Sequence, residues 1–505
     1  MSLLSQFCPF ALGCNVFTLG IIFTLLLLLL LLDFMKRRKP CTDFPPSPPS
    51  WPFVGNLLQM DFSSLSFRQL RKQYGDVFSL QLGWQNVVVL NGYEAIKEAL
   101  LQKSEDFADR PPFELYEGIG FTGNNKGVVT AKYGQSWKDL RRFTLSTLRD
   151  FGMGKKSLEE RVGEEAGYLC DAFQSEQGQL FDPHYKLNTA VANIISFIVF
   201  GDRFDYDDYK FQKLLNLNQA MFEVESGTMA QIATAIPWLA KLPGLAKMIY
   251  RPHVDVLEYL QKIISDHQKT WNPACTRDLI DAFTLQMEKA KGDKENHFNE
   301  KNLLFTTFDL FTAGSETSTT TLRWGLLYML QYPDVQRKVQ EEIDKVIGKS
   351  RKPVMADVLQ MSYTNAVIHE IQRCADLVPL SLIHMTYRDT EVQGFSIPKG
   401  VAVCPNLSSV LKDEKVWEKP FQFYPEHFLD ADGKFVKQEA FLPFSTGRRA
   451  CLGERLARME LFLFFTSLLQ RFSFQIPDGE PCPRDDPIVY IVQIPHPYKL
   501  CAKIR

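Results

Sequence analysis

The ten cysteines of this chain include no CxxC pair and no CxxCH. The first absence counts against a zinc ribbon or a dithiol redox site, the second against covalently attached haem. The thiols are scattered from Cys8 to Cys501, which suits a reducing compartment better than a disulfide framework. An excess of one charge is also missing. Against 57 Lys and Arg stand 59 Asp and Glu, a net charge of −2, so the whole chain carries no electrostatic footprint of a nucleic-acid partner. There is no glycine-rich flavin or nicotinamide fingerprint and no internal repeat. Electrons for any redox chemistry have to arrive from outside.

What the chain does have is apolar bulk. Hydrophobic residues make up 45% and 39 of the residues are Phe, enough for a large core with room for a bulky apolar ligand. Its 505 residues allow two domains or one unusually large one. The first 32 positions carry no charged side chain, and residues 11–32 would span roughly 33 Å as a helix, enough to cross a bilayer. "KRRK" follows at 36–39. A cleaved secretory signal has its charge before the apolar run, so residues 1–35 are expected to be an uncleaved transmembrane signal anchor, with the basic side and the body in the cytosol. Residues 36–52 are expected to be a basic, proline-rich hinge, with prolines at 45, 46, 48, 49 and 52. Residues 53–505 read as one domain, mainly α with a small β-sheet region. Strand patterns occur at 76–92 and 390–406. A long apolar helix is expected from about 300 to 331, and another from Pro333 to a stop at Gly348. The apolar stretch 227–249, broken by Pro237 and Pro243, fits either core or a loop dipping into a membrane surface.

The chemistry concentrates in "FLPFSTGRRACLGERLARME", 441–460. Phe444, Gly447, Arg449, Cys451 and Gly453 are set at fixed spacing. The glycines allow tight turns and close approach of backbone to a flat ligand. A helix is expected just after Cys451. Its N-terminus, with Arg448 and Arg449, favours a thiolate, a soft anionic ligand suited to iron.

This pattern resembles the haem-binding loop of the cytochrome P-450 superfamily, the haem-thiolate monooxygenases, and the resemblance extends over essentially the whole chain. It implies the cytochrome P-450 fold and haem b with Cys451 as axial ligand, a thiolate that pushes electron density toward O–O cleavage. "HEIQR" supplies Glu370 and Arg373, three apart on one helix face, which the resemblance makes a structural ion pair. Its partner segment "YPEHF" has His427 where the family often has an arginine. In "DLFTAGSETSTTT", Glu316 and Thr317 match the family's acid–alcohol pair. Reducing oxygen to water needs protons, and a hydroxyl can organise their delivery. "WKDLRR" places Trp137 and Arg141 four apart. With Arg449, and with His384 and Ser445 by resemblance alone, they are the expected partners of the haem propionates.

"VQGFSIPKG", "NLSSVLKDE" and "ARMELFLFFTSLLQ" are similar to the vertebrate microsomal drug-oxidising branch, and within it to the debrisoquine-hydroxylase-like subfamily. That likeness implies small lipophilic substrates, basic amines among them, with Asp309 and Glu225 as anchors for an ammonium. Val129 and Ile491 depart from the pattern, standing where that group has phenylalanines, which weakens aromatic help for ring-bearing amines. Steroids and fatty acids stay open as substrates. The implied partners are a membrane-bound NADPH-dependent flavoprotein reductase, a small b-type cytochrome and endoplasmic reticulum lipid. Lys138, Arg142, Arg448, Arg449 and Arg455 are a candidate basic docking face. Two rivals remain at this point: a haem-thiolate isomerase or dehydratase that needs no reductase, and a haem-binding membrane protein without turnover.

Overall fold

The computed structural model describes residues 16–36, 39–60, 64–112, 117, 126–225, 227, 242–293, 296–477, 479–489 and 491–505. Most of stretch 227–249 lies outside these. The helices are α1 (Val16–Lys36), α2 (Ser64–Tyr74), α3 (Gly92–Lys97), α4 (Gln135–Asp150), α5 (Lys156–Gln174), α6 (His184–Phe200) and α7 (Tyr209–Glu225). They continue as α8 (Pro243–Gln268), α9 (Leu279–Lys289), α10 (Glu300–Gln331), α11 (Pro333–Val346), α12 (Ser362–Ala375), α13 (Ser408–Leu411) and α14 (Glu454–Arg471). A four-stranded sheet has the order β1 (Val77–Leu82), β2 (Gln85–Leu90), β6 (Ala402–Pro405), β3 (His384–Met385), with only β2 and β6 parallel. Strands β4 (Thr390–Val392) and β5 (Phe395–Ile397), β7 (Phe472–Gln475) and β10 (Cys501–Ile504), and β8 (Pro487–Val489) and β9 (Gln493–Pro495) form three two-stranded ribbons.

Helix α10 is the axis of the helical body. At 32 residues it is about 48 Å long. Asn299 caps it, its side chain accepting the Asn302 N–H at 2.9 Å. It lies close along α6 because Gly314 has no side chain: a Cβ there would sit 3.0 Å from Ile195. Helix α14 packs beside it, with Phe464, Phe465 and Leu469 fully buried.

Among the described residues no helix is long and apolar enough to cross a membrane. Helix α1 has 21 residues; its side chains are described from Ile21 onward, and those from Ile21 to Leu32 are all exposed. Its end is fixed to the body. Buried Asp33 accepts from the Phe53 N–H and from the Trp84 indole, both at 3.0 Å, and Lys36 lies 4.0 Å from the Trp84 ring. The proline segment is fixed too. Phe44 is buried, and the Pro45 and Pro46 carbonyls accept the Ser79 hydroxyl and N–H at 2.9 and 2.7 Å.

Candidate haem-thiolate site

One face of α10 is open. Between Asn302 and Leu330 only Ala313 is exposed, and only Leu310, Gly314 and Thr317 are half-buried. These four recur at helical spacing, so they form one stripe bordering a cleft inside the molecule. Two ties flank the stripe. On one side Asp309 Oδ2 accepts the Val128 and Val129 N–H groups at 2.7 and 3.0 Å. The Val128 carbonyl in turn accepts from Trp137 at 3.0 Å and from Arg449 at 3.1 Å. On the other side the Ser318 hydroxyl donates to Glu460 of α14 at 2.6 Å. The open turn is thereby held toward the loop that carries Cys451.

That loop is built on close backbone contacts. The Cys451 N–H donates to the Phe444 carbonyl at 3.1 Å, and the Arg458 guanidinium lies 5.2 Å from the Phe444 ring. Gly447 has φ +79°, and a Cβ on it would lie 1.7 Å from the Leu100 carbonyl oxygen. The close approach that requires glycine here is to the π-helical turn Glu98–Gln102, a reason the sequence did not offer. Gly453 opens α14, and a Cβ there would be 4.0 Å from the Cys451 sulfur. Cys451 is open to the cleft yet surrounded by protein. Burial pushes its thiol up, the N–H groups of Gly453 and Glu454 and the Arg141 cation pull it back, and the Glu454 charge adds to the rise.

The cation that supports the sulfur is Arg141, which the sequence offered for the propionates, and not Arg448 or Arg449. Arg448 turns outward to Glu105 at 4.0 Å, and Arg449 donates to the carbonyls of Ala108, Val128 and Ala131 at 2.8, 3.1 and 2.6 Å. Arg141 is the residue beside the sulfur, fixed by a 2.7 Å bond to the Ala450 carbonyl. Trp137 spends its single N–H on Val128 and acts here through its ring, 4.1 Å from Arg449 and 5.6 Å from Arg141.

The polar groups around the loop fit a ligand with two carboxylates. Buried Arg110, Arg449 and His384 and half-buried Arg141 gather with Asp109 as the acid among them. Burial pulls Arg110 down to about 10, and neighbouring Arg141 adds to it. Burial pulls Arg449 down to about 8, with Arg110 and Arg141 adding. Burial, Arg110 and Arg449 hold His384 well below its usual range, and its Nδ1 lies 2.7 Å from the Phe107 carbonyl. A cationic cluster this short of anions is relieved by propionates. Ser445 adds a buried hydroxyl without a partner, on a backbone with φ +58°, a conformation serine rarely adopts. Arg110 was not legible beforehand. In "ADRPPF" nothing distinguishes it from a surface arginine before a turn.

Behind the loop, Glu370 and Arg373 are fully buried and pair through two 2.7 Å bonds. Arg373 also donates to the carbonyls of Leu411, Pro420 and Gln422 at 2.8–2.9 Å. His427 completes the group. Its Nε2 accepts the Lys419 N–H at 3.1 Å, so the proton is on Nδ1, 3.2 and 3.3 Å from the two Glu370 oxygens.

Other expected residues are dispersed. Thr317 donates to the Ala313 carbonyl at 2.7 Å on the open stripe. Glu316 points elsewhere, into a separate cleft lined by His184, Glu223 and Arg323. Burial raises its carboxyl, Arg323 and Thr320 oppose the rise, and Glu223 adds to it. Burial pushes Asp309 up to about 7, against the Val129 and Val128 N–H groups and Arg449. Glu225 ends α7 with Oε1 2.7 Å from His253 Nε2. Val129 is half-buried and Ile491 exposed. Of the candidate basic face, Arg142, Arg448 and Arg455 are exposed and Lys138 half-buried, but buried Arg449 is not part of it.

A helical body with a small sheet, and a cysteine just ahead of a helix N-terminus and beside a cationic cluster, is the arrangement expected of a haem-thiolate oxygenase. Comparison with known proteins agrees: the Cytochrome P450 family model matches residues 45–502, and the chain belongs to that family. It is 54% identical over 490 residues to cytochrome P450 2D20 of Mesocricetus auratus, covering 96% of this chain and 98% of the relative. To cytochrome P450 2D6 of Homo sapiens it is 54% identical over 481 residues, 94% and 97% of the two chains. To cytochrome P450 2D3 of Rattus norvegicus it is 52% identical over 485 residues, 95% and 97%. The chain is thus a monooxygenase whose cofactor is haem with a cysteine thiolate ligand, which sets aside the isomerase and the non-catalytic reading.

Proposed function

We propose that this chain is an endoplasmic reticulum monooxygenase that hydroxylates or dealkylates small lipophilic compounds, foreign compounds among them. Its electrons would come from a membrane-bound NADPH-dependent flavoprotein reductase, with a small b-type cytochrome as a second donor. The observation that carries this reading is the open stripe of α10. Leu310 and Ala313 offer an apolar wall, and Thr317 is its one polar group.

Haem b, when bound, supplies oxygen activation at an iron held by Cys451. Arg110, Arg141, Arg449, His384 and Ser445 would hold its propionates. The Thr317 hydroxyl, anchored on the Ala313 carbonyl, keeps its lone pairs toward the cleft and can order water there. Glu316 faces a different cleft, whose mouth carries exposed Glu223.

The exposed row from Ile21 to Leu32 supports a membrane anchor, since leucines in such a row call for an apolar environment. Exposed Arg142, Arg448 and Arg455 support docking of an acidic redox partner. The carbon monoxide difference spectrum of the reduced protein, beside Cys451→Ala, tests the ligand. A strongly red-shifted Soret band, lost in the variant, is expected. Turnover of a lipophilic substrate should then require both NADPH and reductase; product formed without them would reject the electron route.

A further inference from the structure

Three polar residues close to the cysteine loop have no part in the cationic cluster or in the Glu370–Arg373 pair: His369 on α12, and Glu454 and Arg458 on α14. His369 is buried, its ring 4.6, 4.9 and 5.4 Å from those of Phe435, Phe441 and Phe428. Its Nδ1 lies 2.8 Å from the Asn365 carbonyl, one turn back on the same helix, so Nδ1 carries the proton and Nε2 accepts. The donor to that acceptor is Arg458 Nη1, at 2.9 Å. Burial pulls His369 down to about 4, against the Asn365 carbonyl and with Arg458 and Lys437 adding, so the ring is neutral near neutral pH. The remaining guanidinium nitrogens of Arg458 face Glu454, Nε and Nη2 lying 3.0 and 2.9 Å from Oε1. Glu454 begins α14 three residues after Cys451, and its N–H and its charge act on the thiol in opposite directions.

Stability does not account for this arrangement. Arg458 and Glu454 are half-buried, and an i,i+4 pair at such a site contributes little. An apolar side chain would fill a cage of three phenylalanines without any polar atom to satisfy. What the imidazole adds is a fixed acceptor that holds a cation in one place. We propose that His369 and Arg458 are positioning residues for the thiolate: His369 fixes the guanidinium, and the guanidinium cancels the Glu454 charge, so that Cys451 sits beside a neutral pair and not beside a bare carboxylate. The inference rests on the proposed reading of Cys451 as the iron ligand. A bare carboxylate at that place favours the oxidised, more positive iron, and a bare cation favours the reduced one. The two substitutions that unbalance the pair therefore act with opposite sign, whereas a general loosening of the loop gives both the same sign.

The test is the reduction potential of the full-length, substrate-free holoprotein, titrated with redox dyes, with the carbon monoxide spectrum recorded for every variant. Arg458→Leu is expected to lower the potential by about threefold in the oxidised-to-reduced equilibrium, about 28 mV for one electron, and Glu454→Gln to raise it by a similar amount. The double variant should return toward the wild-type value. His369→Leu removes no charge, yet it frees Arg458 and should shift the potential in the direction of Arg458→Leu. His369→Gln, whose side-chain carbonyl can accept from Arg458, should restore much of that shift. If Arg458→Leu holds no haem, His369→Leu and Glu454→Gln decide: opposite shifts support the proposal, and a shared direction or no shift overturns it. Arg458→Leu and Glu454→Gln moving together, or a folded His369→Leu with the wild-type potential, also overturns it. A wild type without the red-shifted carbon monoxide band would instead overturn the ligand reading beneath it.

Discussion

Glu370 is among the least replaceable side chains in the molecule. It accepts two buried bonds from Arg373 and two part-buried ones, from the His427 Nδ1–H and from the Tyr424 N–H at 2.8 Å. Removing one partner of a buried ion pair strands the other charge, at a cost of about 3–5 kcal/mol. Glu370→Ala is therefore expected to lower the urea midpoint sharply and to leave little haem-loaded protein. His427→Ala removes a neutral donor and should cost only about 1–3 kcal/mol. Asp309 gives a prediction in pH. Its carboxyl is raised in the folded chain, so between the usual aspartate range and about 7 the native state holds the proton that the unfolded state has lost. Its contribution is fully present at the acid end and is lost as pH rises through that window. Asp309→Asn can still accept from Val128 and Val129 but does not titrate. The melting temperature of the variant should fall less than that of the wild type between about pH 4.5 and about pH 7.5.

Elements show what local pattern can and cannot reveal. Helix α10 ends where its apolar run ends, and α11 begins at Pro333, because proline and capping signals act within a few residues. The Glu370–Arg373 spacing is equally local. The ties that orient these elements are not. Ser318 meets Glu460 across 142 positions, and Asp309 meets Val128 across 181. Nothing near either residue in sequence announces its partner, so Asp309 read equally well as an amine anchor. Gly447 was legible as necessary, but the reason for it lies in the Leu100 carbonyl, more than three hundred residues away. Gly447→Ala must abandon φ +79° and displace that carbonyl. Strain alone costs about 1–3 kcal/mol, and loss of the thiolate spectrum at normal expression is the expected outcome. Burial pushes Glu460 up to about 8, so Glu460→Gln keeps the neutral form and the contact with Ser318. Haem content in that variant should change little near neutral pH, whereas Glu460→Leu should lose the tie and lower the melting temperature.

At the scale of the whole molecule, exposed charge and exposed leucine are given different proposed duties. Reversing Arg142, Arg448 and Arg455 to glutamate is expected to raise the KM for reductase by about tenfold at low ionic strength, and to flatten its salt dependence, because the lost attraction is one that salt screens within about 10 Å. Initial rates of NADPH oxidation across a salt series check this. Deleting the first 32 residues leaves the Asp33 contacts to Phe53 and Trp84 in place, so the body should fold and bind haem while its resistance to alkaline extraction from membranes falls. The two-ended suspension of α10 has an evolutionary consequence. Asp309 and Ser318 fix the helix like piers, and the residues between them on the open side bear little structural load. Leu310 and Ala313 can drift in size without disturbing the cysteine loop, so a lineage can inherit the oxidising centre intact and still explore new diets of substrate one mutation at a time.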